Sequence, residues 1–183
     1  YKNVDNVGSI SGYCYDLKTK DEKTFLSTLI PSWGWGTWKE SWKNYNLNGK
    51  DLYLNIKKLK KEREFNLDNS YDFMRILKNQ VTGKNNSWSI RWYASLFLKK
   101  KYCVFNTQSY VNNIGFDSSG THTYSTNVYK VSLSKKFYKH KIKSINDNPI
   151  YQKKLRTFFK RLSKKQIIIN YKLSLTSKLK KFF

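Results

Sequence analysis

The chain has 183 residues, enough for one domain or for one domain with a tail. Hydrophobic residues at 39% supply a core, and aromatics at 17% exclude a wholly disordered basic chain, because disordered segments are poor in aromatic side chains. The 36 Lys+Arg against 12 Asp+Glu give a formal charge of +24, the usual footprint of an anionic partner, although the abundance of Lys, Asn, Ile and Tyr also looks like the codon bias of an AT-rich genome.

Cys14 and Cys103 are the only cysteines. Without CxxC spacing they form neither a zinc site nor a disulfide framework, and a reduced, cytoplasmic compartment is expected. No apolar stretch approaches the ~18 residues of a membrane span, and no charged n-region with an apolar h-region opens the chain. The chain begins without Met and reads as though from mid-domain, so an N-terminal part of a longer protein is expected to precede it.

In chain order, residues 6–15 read as a strand punctuated by Gly8 and Gly12, and residues 16–23 as a polar loop. Pro31-Ser32 leads into the run Trp33-Gly34-Trp35-Gly36-Thr37-Trp38-Lys39. Trp35, Trp38, Trp42 and Tyr45 fall at i, i+3, i+7 and i+10, which predicts one face of a helix, ended by a turn at Asn48-Gly49. Residues 52–61 read as helical. Asp68 or Asn69 caps a second helix over 70–80, with Phe73, Ile76, Leu77 and Gln80 on one face. A loop around Gly83 follows, and Ser87 opens a third helix whose Trp88, Trp92 and Leu96 face the core. Residues 102–105 and 110–115 read as short strands, and 117–127 as a Ser/Thr/Gly-rich loop.

The charge divides the chain near residue 135. Residues 135–183 hold 16 Lys+Arg and one acid, Asp147, whereas residues 1–134 hold 20 Lys+Arg and 11 acids. A domain over 1–134 and a basic tail over 135–183 are therefore expected. Asp147-Asn148-Pro149 starts a tail helix with Leu155, Phe158, Phe159 and Leu162 on one stripe and Lys153, Lys154, Lys160 and Lys164 mainly off it. Three readings of that helix stand open: a solvated face on a packing helix, a surface laid on an anionic membrane, or a nucleic-acid contact.

The tryptophan run also supports two readings. Glycines between indoles let a backbone approach a ligand closely, and indoles offer a flat apolar face with an N–H donor, as a sugar-stacking surface requires. The same residues can form a buried aromatic turn. Arg91 offers a guanidinium fork for phosphate or for a structural ion pair.

The run resembles the WGWATW(K/R)xxW segment of a group of bacterial family 2 glycosyltransferases of the GT-A fold. Three more segments resemble the same group in the same order. They are residues 7–13 (VGSISGY), residues 83–95 (GKNNSWSIRWYAS) and residues 113–122 (NIGFDSSGTH). Together they span residues 7–122, whereas 135–183 carry no such motif.

The resemblance implies an α/β fold: the acceptor-side, C-terminal part of a GT-A-like domain, with a mixed sheet, flanking helices and a basic helical tail. It implies transfer of a sugar from a nucleotide-sugar donor to a glycan or lipid-linked acceptor in cell-surface polysaccharide synthesis, with a possible seat on the inner membrane face. Nucleic acid is not the expected partner. Trp33, Gly34, Trp35, Gly36, Thr37, Trp38, Trp88 and Arg91 become acceptor-side candidates. A divalent cation, Mg or Mn, is implied, with most ligands in a donor-binding half. His122 is the candidate contact to that cation, against the plainer reading of a solvated loop histidine. No Asp-x-Asp occurs in this chain. Where the resembled segment has a catalytic Asp, this chain has Asn86, and an amide cannot accept the acceptor's proton. Asp117 is the in-chain substitute base, or else a turn former.

Overall fold

The computed structural model describes residues 1–115, 127–135 and 149–179, the last helix beyond residue 164 as backbone only. Four strands, β1 (Val7–Ser11), β2 (Thr24–Ser27), β3 (Trp35–Thr37) and β4 (Tyr102–Asn106), form one mixed sheet in the order β2-β4-β1-β3. The central pair β1 and β4 is parallel, and the edge strands β2 and β3 are antiparallel to their neighbours. Helices α1 (Lys39–Trp42), α2 (Gly49–Lys58), α3 (Glu62–Phe65), α4 (Phe73–Val81), α5 (Trp88–Leu98) and α6 (Pro149–Leu179) complete the described elements. The α/β class with a mixed sheet and flanking helices is as the sequence implies.

The strands alternate between two apolar layers, as the two-residue period of a strand requires. Phe25, Cys103 and Phe105 enter the main core, while Leu26, Val104 and Val7 form a small cluster on the other face, covered by Val4, Trp38 and Tyr102. The main core is built around α5. Its buried run from Trp92 to Phe97 lies under α2 and α4, so nearly the whole helix circumference is apolar. Ser87 caps it as expected, its hydroxyl accepting from the Ile90 amide.

Several elements differ from the sequence reading. No helix spans 35–45. Residues Trp35–Thr37 pair with β1, and only the short α1 follows. The strand wins because Ser9, Ile10 and Ser11 offer it a ladder, and Gly34, at φ +50°, turns the chain into it. Asn48-Gly49 starts α2 rather than ending a unit, with the Asn48 side chain accepting from the Asp51 amide. Asp68 and Asn69 do not cap a helix, because Leu67, Asp68 and Asn69 are all left-handed; Asp72 caps α4 through the Arg75 amide. Residues 110–115 are not a strand, and the first strand ends at Ser11 rather than at residue 15. Strand β2 has no signal beyond two apolar residues between polar ones. Trp88 does not face the core: it is 40% exposed, whereas Trp92 is fully buried.

The core runs across the compositional boundary at residue 135. Tyr151, Leu155, Phe159 and Leu162 of α6 belong to the same buried cluster as α5 and the sheet. Each such side chain contributes about 1.5–3 kcal/mol of burial. Gln152 also donates to the Leu26 carbonyl at 2.5 Å, covering the edge strand β2. Asp147 and Asn148, the expected helix start, lie outside the described residues. Among the described residues, no helix is long and apolar enough to cross a membrane.

Candidate functional site

A cleft of about 740 Å³ opens between the tryptophan turn, the loop before α5 and the segment 127–135. Its aromatic walls include Tyr15, Trp33, Tyr71, Trp88 and Tyr129, and its rim carries Lys84, Asn85 and Asn86. Trp33 is held edge-on by Tyr13 at 5.1 Å and 79° and by Tyr129 at 5.1 Å and 81°. T-shaped packing of this kind fixes the indole plane.

The rim is positioned by local hydrogen bonds. Gly83, at φ +72°, reverses the chain after α4. The Lys84 amide then donates to the Asn79 carbonyl at 2.8 Å. Asn85 locks the loop in two directions, its Nδ2 donating to the Ile76 carbonyl at 3.1 Å and its Oδ1 accepting from the Ser87 amide at 3.0 Å. Asn86 is thereby left exposed at the rim, directly before the capped N-terminus of α5. That end of a helix carries partial positive charge and favours negative charge nearby.

Behind the cleft stands a second aromatic group. Trp88 meets Trp35 at 5.6 Å, and Trp35 in turn meets Trp42 at 6.0 Å and Trp92 at 5.9 Å. Trp42, 41% exposed, stacks on Tyr45 at 4.8 Å.

The structure thus brings three predicted residues, Trp33, Asn86 and Trp88, to one cleft and places the other described ones elsewhere. Trp35 supports Trp88 from behind. Thr37 donates to the Gly8 carbonyl at 2.7 Å, and Trp38 covers the small cluster on the far face of the sheet. The glycines make close approaches inside the protein rather than to a ligand. A Cβ on Gly34 would lie 2.2 Å from Val111 Cγ2, and one on Gly36 would touch Ile10. Arg91 makes no ion pair among the described residues; it donates to the Leu47 carbonyl at 3.0 Å and lies over the Tyr45 ring at 5.9 Å. Asp117 and His122 lie outside the described residues.

Tyr15, Tyr71 and Tyr129 are cleft residues that the sequence reading missed. Their only signal is the tyrosine-rich composition, since they come from separate segments. Burial, and then the neighbouring phenols, push the Tyr15 and Tyr129 hydroxyls well above the ordinary phenol value, so both stay neutral.

Among the described residues lining the cleft there is no carboxylate. The arrangement can stack and hydrogen-bond a ring-shaped polar ligand, and it holds no group that can take up a proton as a carboxylate base does. Among the described residues, no cluster of three His, Cys, Asp or Glu could hold the implied divalent cation. No family model, no curated protein and no solved structure matches the chain.

Proposed function

We propose that this chain is the acceptor-side part of a glycosyltransferase resembling the bacterial family 2 enzymes of the GT-A fold. It would receive a glycan or lipid-linked acceptor, with a nucleotide-sugar donor and its cation bound by a separate donor half, at the cytoplasmic face of a membrane. One observation carries the reading. Trp33 and the pair Asn86 and Trp88 come from two of the four resembling segments, lie more than fifty residues apart, and line one cleft. The indole planes would stack on sugar rings, the Lys84 and Asn85 side of the rim would meet polar substituents, and Asn86 stands where the resemblance puts the base.

Asn86, an amide where the resembled segment has a catalytic Asp, favours a second reading, a non-catalytic glycan-binding module on the same cleft. Both readings require glycan binding. The 183-residue chain presented to an array of bacterial surface glycans should bind a subset, and Trp33→Ala and Trp88→Ala should each weaken that binding by about tenfold. Binding indifferent to both substitutions would remove the cleft from either reading. Donor-dependent transfer by a preparation containing both halves separates the two.

A further inference from the structure

The basic side of α6 has a use that the core does not explain. Its apolar stripe is consumed: Leu155, Phe159 and Leu162 are buried in the main core, where Phe159 meets the rings of Tyr15, Tyr71 and Phe73. At 3.6 residues per turn, Lys153, Lys154, Thr157, Lys160, Arg161 and Lys164 fall on one arc of about 120° on the opposite side of the helix, ~17 Å long from end to end. Lys153, Thr157, Lys160, Arg161 and Lys164 are exposed, and so is Ile150 at the head of the same arc. No Asp or Glu lies on this stretch of the helix. The carboxylates that reach α6 engage its margins: Asp68 pairs with Arg156 at 2.8 Å, Asp21 accepts from the Tyr151 phenol at 3.2 Å, and Asp16, already bound by Lys18, lies near Arg161. Lys153, Lys160 and Lys164 are left without a carboxylate partner among the described residues.

We propose that this face of α6 is a docking surface for an anionic phospholipid bilayer, bound by charge alone. The stripe runs along one side of a single helix, so its cations can meet a plane together. Its cations are mostly lysines, point charges that suit scattered headgroup phosphates, rather than the arginine forks that grip a phosphate in a fixed geometry. The arc carries no aromatic side chain on which a nucleobase could stack. The contact is peripheral and salt-reversible, because Leu155, Phe159 and Leu162 are committed to the core and Ile150 is the one large aliphatic side chain on the arc between residues 150 and 164. The surface lies opposite the cleft-lining Phe159, so the proposal stands without the transfer reading.

The test is co-sedimentation of the 183-residue chain with vesicles of phosphatidylcholine alone and of phosphatidylcholine mixed with phosphatidylglycerol. Binding is expected only to the mixed vesicles and is lost at high salt. The triple variant Lys153→Gln, Lys160→Gln, Lys164→Gln should bind about a hundredfold more weakly, roughly fivefold for each lysine. A control removing the exposed Lys50, Lys58 and Lys99, with the same change in charge, should keep most of the binding; circular dichroism checks that both variants fold. Equal loss in the control, no loss in the triple variant, or binding that survives high salt would each overturn the proposal. So would an RNA or DNA oligonucleotide that displaces the vesicles and loses its own binding in the triple variant.

Discussion

The Tyr13 phenol donates a 2.8 Å hydrogen bond to the carbonyl of Tyr129, tying the end of β1 to a segment 116 residues later. Trp33 packs edge-on against both rings, so this one bond braces a wall of the cleft. Tyr13→Phe removes the donor but keeps the ring. It should lower stability by about 1–2 kcal/mol in urea denaturation, and it should weaken glycan binding although residue 13 does not line the cleft.

Gly34 and Gly83 both have positive φ, but only Gly34 is crowded. A methyl group at Gly34 meets Val111, whereas nothing lies within 4 Å of one at Gly83. Gly34→Ala should cost about 2–4 kcal/mol, from backbone strain and overpacking together, and Gly83→Ala about 1–2 kcal/mol from strain alone. Denaturation midpoints of the two variants check the difference; equal losses would show that Val111 yields.

Leu155 on α6 is fully buried, and Lys153 two residues earlier is exposed. Leu155→Ala should destabilise the whole fold by about 2–5 kcal/mol, and Lys153→Gln should change stability by about 0.5 kcal/mol or less. A single cooperative transition that shifts for Leu155→Ala would establish that this basic helix is part of the core.

Stability should fall in alkali. Burial pushes the Cys103 thiol up to about 12, a shift partly opposed by the neighbouring Ser9 hydroxyl, and burial also raises the Cys14 thiol and the Tyr93 phenol. These groups have higher pKa values in the folded chain than in the unfolded one. Their contribution is therefore fully present below the ordinary thiol value of 9.0 and is lost as pH rises from there through the folded values. Each group should remove about 1.4 kcal/mol per pH unit once the unfolded chain begins to ionise it. A urea midpoint constant from pH 8 to pH 11 would contradict the buried placement of both thiols.

Asn86→Asp would put a titratable carboxylate on the cleft rim. With the donor half that the proposal requires, transfer should rise about a hundredfold or more, with a new acidic limb in its pH profile. No gain would move the base away from residue 86, with Asp117 the next carboxylate to test.

The sequence made the position and cap of α5 legible, though not the exposure of Trp88, because its cap, its continuous apolar run and its flanking loop all agree. It also placed Asn86 and Trp88 on either side of the Ser87 cap that opens that helix. It misread the segment from Trp35 to Tyr45, where a helical spacing of aromatics coincides with a strand. The rings still meet, since Trp35 and Trp42 stand 6.0 Å apart, but they meet because β3 leads into α1 across Trp38. Spacing cannot tell these routes apart, because both bring the same indoles together.

By itself, the sequence determined the mixed α/β class, the charge asymmetry and the resemblance carried by four short segments. Only the tertiary structure decided which members of those segments share a site. Trp33 is brought to Asn86 by a left-handed glycine and a tyrosine pair from opposite ends of the chain, and Trp38 is sent to the far face of the sheet. The assignment of α6 also waited on tertiary packing. An amphipathic pattern reports that one side of a helix is apolar, and only packing shows whether protein or lipid covers it.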